Sequence, residues 1–139
     1  MSITNGGRFY IHNKKAGTVI DLDTRDNRSV QCWSKWGGAN QQWEFLQVEG
    51  GWQIRNVAQR TYLTFDGNAQ DGQRLIGSQN PFTWNIWPSD HDQRAYMICV
   101  PNTKQLIDLS DHGNIRDGTA VQLWTTFKSD NQLWTVENV

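Results

Sequence analysis

At 139 residues the chain has room for one domain with a substantial core, and its formal net charge of −1 gives no electrostatic footprint for DNA, RNA or anionic lipid. Hydrophobic residues make up 37% without a long apolar run, so no membrane insertion and no nucleic-acid partner is expected. The start, Met1-Ser2-Ile3-Thr4, lacks the apolar core of a signal peptide, which sets the expected location as cytoplasmic.

Short alternating stretches come first at Phe9 to His12, Val19 to Leu22, Val30 to Trp33 and Trp43 to Phe45. Alternation over so few residues reads as half-buried strands. A middle set begins at Trp52-Gln53-Ile54 and passes Leu63-Thr64-Phe65. It closes at Asn85-Ile86-Trp87, where Trp87 is expected to take the place of Trp43. The last set runs from Tyr96-Met97-Ile98 through Ile107-Asp108-Leu109 to Trp134. Turn formers separate the strands, among them Asn5-Gly6-Gly7, Glu49-Gly50-Gly51, Asp66-Gly67-Asn68 and Asp117-Gly118.

The sets are copies of one unit. Val30-Gln31-Cys32-Trp33 followed by Asn40-Gln41-Gln42-Trp43 returns as Val121-Gln122-Leu123-Trp124 followed by Asn131-Gln132-Leu133-Trp134, with ten positions between the tryptophans in both copies. Ile11, Ile54 and Ile98 mark the unit starts, so residues 1–139 read as a single domain with repeats at about 8–48, 51–90 and 94–139. One such unit cannot bury its own apolar face, whereas three can pool their faces around a pseudo-threefold axis. Propellers need about four blades or more, so the expected fold is all-β: a β-trefoil of three four-stranded repeats. Its core would hold Ile11, Ile54 and Ile98 with Leu22, Phe65 and Leu109, and Trp43, Trp87 and Trp134 would close the units.

Catalytic and metal signatures are missing. His12, His91 and His112 show no ligand spacing, and there is no Gly-x-Ser-x-Gly elbow or phosphate loop. Asp21, Asp23 and Asp26 lack the glycine and terminal glutamate of a calcium loop. No enzyme activity, cofactor or metal is expected. Cys32 and Cys99 sit at non-equivalent positions of their repeats and read as reduced, buried thiols.

One polar set recurs. Asp21 is followed by Gln31, Trp33, Trp36 and Asn40, and Asp108 by Gln122, Trp124, Phe127 and Asn131. An ionised carboxylate accepts charge-assisted hydrogen bonds from two adjacent hydroxyls. An asparagine amide both donates and accepts, as a hydroxyl does. A flat ring covers the apolar C–H face of a pyranose. These residues therefore read as a sugar-binding set, with either Trp33 or Trp36 as the first platform. In the middle unit the counterparts count out as Thr64, Leu75, Gly77 and Trp84, so the polar set is lost as a group there.

With these residues in view, the chain resembles the ricin-B-type β-trefoil lectins, in particular the small single-domain lectins of mushrooms. The Gln-x-Trp repeats and the two Ile-Asp-Leu segments carry the resemblance over nearly the whole chain. It implies a carbohydrate-binding lectin for terminal galactose or N-acetylgalactosamine on glycoproteins or glycolipids, and a homodimer is among the family's arrangements. Carried over, the first site is Asp21, Gln31, Trp33 or Trp36, Gly38, Asn40 and Gln41. The third repeat's site is Asp108, Gln122, Trp124 or Phe127, Asn131 and Gln132. Within these sets Gln41 and Gln132 are expected to brace the backbone or the neighbouring aspartate rather than to lead the contact with sugar. Two rivals keep the fold without sugar: a protease inhibitor acting through loops such as Ser78 to Pro81 or Arg25 to Arg28, and an accessory subunit of a larger enzyme.

Overall fold

The computed structural model describes residues 2–139, and among them twelve short strands alternate with turns. They are β1 (Arg8–Asn13), β2 (Val19–Leu22), β3 (Val30–Trp33), β4 (Trp43–Val48), β5 (Gly51–Asn56), β6 (Tyr62–Thr64), β7 (Ile76–Ser78), β8 (Asn85–Pro88), β9 (Tyr96–Cys99), β10 (Gln105–Leu109), β11 (Thr119–Thr125) and β12 (Trp134–Asn138). No helix of the described residues is long and apolar enough to cross a membrane.

Six strands close into a ring. β12 pairs β1, β1 pairs β4, and β4 pairs β5. β5 meets the chain entering β8 through a reciprocal bridge, Trp52 N–H to Trp84 O at 2.9 Å and Trp84 N–H to Trp52 O at 2.7 Å. β8 pairs β9 and β9 returns to β12, so the ring leaves no free edge to pair with another chain. The other six strands form the hairpins β2–β3, β6–β7 and β10–β11. These meet in a triangle through Ala120 and Gln31, Ser29 and Ile76, and Arg74 and Gln122. This is the β-trefoil that the repeats imply, each unit giving four strands.

Alternation places the core. Ile11, Ile54, Ile98, Leu22 and Leu109 are buried as the repeat predicts, joined by Phe9, Phe45, Leu63 and Leu75. Phe65 is only partly buried and packs on the core from its side.

One expectation is overturned. Trp84, not Trp87, closes the middle unit. Trp43, Trp84 and Trp134 are all fully buried, and each donates its indole N–H to a carbonyl of its own hairpin: Ile20 at 2.9 Å, Leu63 at 2.9 Å and Ile107 at 3.0 Å. Trp87 is 54% exposed. Side chains alternate along a strand, so Trp84 and Ile86 share the inner face and Trp87 faces out. The matching phrase is tryptophan, any residue, then a hydrophobe: Trp43-Glu44-Phe45, Trp84-Asn85-Ile86 and Trp134-Thr135-Val136. The middle counterparts shift with it. Thr64 does pair in register like Asp21, but opposite Ile76, and Tyr62 faces Ser78 where Val19 faces Trp33. Ile76 and Ser78 therefore replace Leu75 and Gly77 as the counterparts of Gln31 and Trp33. Counted back from Trp84, Pro81 and Phe82 stand where Asn40 and Gln41 do.

Both cysteines are free thiols. Burial pushes Cys32 far above its ordinary value and Cys99 up to about 11, so neither is a ready nucleophile.

Candidate functional site

Asp21 and Gln31 face each other directly across the β2–β3 ladder, and Asp108 and Gln122 do the same across β10–β11. In each pair the glutamine Nε2 donates to the aspartate Oδ1, at 3.2 Å for Gln31 and 3.1 Å for Gln122. A second glutamine reaches each carboxylate from behind. Gln41 Nε2 donates to Asp21 Oδ2 at 3.0 Å and Gln132 Nε2 to Asp108 Oδ2 at 3.0 Å.

The remaining groups of those glutamines are spent on the backbone of the aromatic loop. Gln41 accepts from Trp36 N–H at 2.9 Å and donates to Ser34 O at 3.1 Å. Gln132 accepts from Phe127 N–H at 3.0 Å and donates to Thr125 O at 3.0 Å. Each glutamine thus ties the carboxylate to the loop that carries the exposed ring. Asn40 and Asn131 are anchored through Nδ2 to Leu22 O and Leu109 O, both at 3.1 Å, and Asn131 also donates to Asp108 Oδ2 at 3.2 Å.

Two hollows open on these groups. The first, about 260 Å³, is lined by Asp21, Gln31, Trp33, Trp36 and Asn40, with Asp23, Thr24 and Arg25 at its edge. The second, about 270 Å³, is lined by Asp108, Gln122, Trp124, Phe127 and Asn131, with Ser110, Asp111 and His112. Ten of the thirteen residues singled out from the sequence therefore gather as two matched walls. Both rings of each pair stand on the wall, so the choice between Trp33 and Trp36, or Trp124 and Phe127, resolves into two rings per hollow. Trp36 is the most open at 62% exposed.

The other three stand behind the walls, which for Gln41 and Gln132 is the bracing position expected of them. Gln41 and Gln132 are completely or almost completely buried, because their polar atoms are used up in bracing the aspartate and the loop. Gly38 lines neither hollow. Its backbone is ordinary for any residue (φ −67°), but a Cβ there would overlap the six-membered ring of Trp36, so glycine is needed for space.

Asp21 and Asp108 are buried at 3% exposed each, with the carboxylate at the floor of its hollow. Burial pushes both carboxyls above the usual carboxylate range, and the three surrounding amides pull each back only in part.

The edge residues were not among those the sequence pointed to for a sugar site. Asp23 grips the Arg25 guanidinium, with Nε to Oδ1 at 3.0 Å and Nη2 to Oδ2 at 2.7 Å, and Arg25 holds the Asp23 carboxyl below its ordinary value. In the other copy Asp111 and His112 both adopt left-handed backbone (φ 53° and 54°), and Lys15 Nζ donates to the His112 carbonyl. The signal was positional: both trios directly follow Ile-Asp-Leu, so the turn they form must rim the hollow.

The middle unit offers no carboxylate at this place. Phe82 packs edge-on against Trp84 at 4.7 Å and against Phe65 at 5.0 Å. Thr64 stands at the aspartate's place with its hydroxyl donating to Phe65 O at 3.5 Å, and Ile76 and Phe82 replace the two glutamines, so no amide donor is left there without its carboxylate. Each intact hollow presents charged acceptors at its floor and flat apolar rings on its wall. That suits a ligand with vicinal hydroxyls and an apolar C–H face.

Residues 39–124 match the family described as ricin-type beta-trefoil lectin domain-like. The structure superposes on a ricin B-like lectin of Macrolepiota procera, solved in complex with lactose, with a TM-score of 0.98 and 38% identity over 100% of both chains. It superposes on the agglutinin of Rhizoctonia solani with a TM-score of 0.88 and 24% identity, over 100% of this chain and 99% of that one. Among characterised relatives, a ricin B-like lectin of Oryza sativa subsp. japonica, R40G2, is 38% identical over a 58-residue alignment that covers 37% of this chain and 17% of the rice protein.

Proposed function

The chain belongs to the ricin-type β-trefoil lectin family, and on that premise we propose a carbohydrate-binding lectin for terminal galactose or N-acetylgalactosamine-type glycans. The observation that carries this is the register of Asp21 and Asp108, each a buried carboxylate between two glutamine amides, facing a wall of two aromatic rings. The Asp carboxylate accepts from a sugar hydroxyl, Asn40 or Asn131 adds an amide, and the rings cover the apolar sugar face. The lactose bound by the Macrolepiota lectin ends in galactose, which supports that sugar class.

A shallow site of this kind binds one sugar with Kd near ~1 mM, or about −4 kcal/mol. Two sites in one chain engage branched or clustered glycans together and gain strength by effective concentration. A glycan array followed by calorimetric titration with lactose tests the proposal. Binding restricted to glycans with terminal galactose or N-acetylgalactosamine is the expected result. A blank array, or preference for glycans lacking both sugars, would overturn it.

A further inference from the structure

Both hollows are held from across the repeat borders, and the middle unit, which has lost the polar set, supplies part of each hold. Asp71 lies in the loop between β6 and β7. Its Oδ1 accepts from Thr125 N–H at 2.7 Å and Thr125 Oγ1 at 2.8 Å, on the residue next to Trp124. The same loop pairs with the residue before Trp124, with Gly72 N–H to Leu123 O at 2.9 Å and Leu123 N–H to Gln73 O at 2.8 Å. Thr125 O in turn accepts Gln132, which holds Asp108. A relay thus runs from Asp71 through Thr125 and Gln132 to the Asp108 carboxylate.

The first hollow has the same relay from another donor. Asp117, in the loop between β10 and β11, accepts from Ser34 N–H at 2.7 Å and Ser34 Oγ at 2.8 Å, and Ser34 O accepts Gln41, which holds Asp21. The corresponding aspartate of the first unit, Asp26, instead takes the N–H groups of Arg28 and Ser29 in its own turn, both at 2.9 Å.

A second brace follows the same rule. Asn56 Nδ2 donates to Asn40 O, and Asn13 Nδ2 donates to Asn131 O, both at 3.0 Å. Two residues after the isoleucine that starts each unit stand Asn13, Asn56 and, in the third, Val100. Each intact hollow therefore has both braces. The blank place in the middle unit faces Asp26 and Val100 and has neither.

We infer that the middle unit positions both sites: Asp71 sets the Trp124 wall and the Asp108 floor, and Asn56 sets the backbone of Asn40. Asp71 and Asn56 line neither hollow, so they are positioning residues. The inference rests on the reading of the hollows as sugar sites. A ring displaced by a fraction of an ångström loses its stacking contact, which is why a residue outside the hollow controls affinity within it.

The test is a lactose titration of the ¹⁵N-labelled protein, followed at the indole N–H resonances of Trp124 for one hollow and Trp36 for the other. Asp71→Ala is expected to weaken lactose about tenfold at Trp124 and leave the Trp36 titration within about twofold. Asp71→Asn, which keeps an acceptor for Thr125 N–H, recovers most of the loss. Asn56→Val weakens the response at Trp36 and spares Trp124, whereas Asp26→Ala leaves Trp124 unchanged. An unaltered Trp124 titration in Asp71→Ala, or an equal loss at both rings, overturns the inference while the sugar reading stands. A wild-type protein in which neither ring responds to lactose overturns the sugar reading, and this inference with it.

Discussion

Replacing Asp21 by asparagine separates the chemistry of the floor from its shape. The two glutamine amides each occupy one carboxylate oxygen, Oδ1 from Gln31 and Oδ2 from Gln41. A carboxylate has about four acceptor positions and Asn40 is a third amide beside it, so about one remains for a sugar hydroxyl. Gln41 cannot turn over, because its Oε1 holds Trp36 N–H and Gly37 N–H. The new amide must therefore point its oxygen at Gln41 and its NH₂ at Gln31, which can flip to accept it. The fold keeps its hydrogen bonds, and the sugar loses one charge-assisted acceptor. Such a bond contributes about 1.5–3 kcal/mol, so affinity should fall ~10- to ~150-fold. The comparison is calorimetric titration with lactose of Asp108→Asn, which leaves the first hollow alone, against the double variant Asp21→Asn/Asp108→Asn. Affinity of the double variant within about threefold of the single one would refute the assignment of Asp21 as the floor.

Trp84→Ala should cost about 3–5 kcal/mol in denaturant unfolding, while Trp87→Ala should stay within about 0.5 kcal/mol, since only the first ring is buried and bonded. Equal losses would restore Trp87 as the closing residue. Gly38→Ala should dislodge the Trp36 ring and weaken the first hollow several-fold, with thermal stability and the second hollow little changed, as a sugar titration of each site would show. Acidification should act in opposite senses on binding and stability. Folding raises the Asp21 and Asp108 pKa values, so the native state takes up these protons first as pH falls. Between the raised folded value and the ordinary unfolded one, these two groups make the fold more stable as pH drops, and that contribution is lost as pH rises through the folded value. Sugar affinity, which needs the ionised floor, should decline over the same interval. Lactose titrations and melting curves in parallel from pH 7 down to pH 4 check both signs, with Asp21→Asn/Asp108→Asn as the reference lacking both groups.

Much of the architecture could be read before any coordinates. Ile11, Ile54 and Ile98 mark the starts of three units, and the Ile-Asp-Leu segments put Asp21 and Asp108 in register with Gln31 and Gln122. Trp87 follows Trp43 at nearly one repeat length, yet it is Trp84 that is buried in the middle unit. The better guide was the inward pair Trp84 and Ile86, which obeys strand alternation. The bracing role of Gln41 and Gln132 was legible from their place in the recurring polar phrase, and their bonds name the partners as the aspartate and the aromatic loop.

The division has a physical origin. Strand alternation, turn chemistry and the repeat itself are local, written within a few residues of one another, so the chain alone determined a threefold all-β fold with two copies of a polar and aromatic set. The Trp36 ring lying on Gly38 and the reach of Asp71 to Thr125 and of Asn13 to Asn131 exist only once the ring has closed. Those contacts join residues far apart in the chain or depend on which way a side chain turns in a finished wall. Tertiary structure alone decided them, because closure brings the neighbouring units' loops against each hollow.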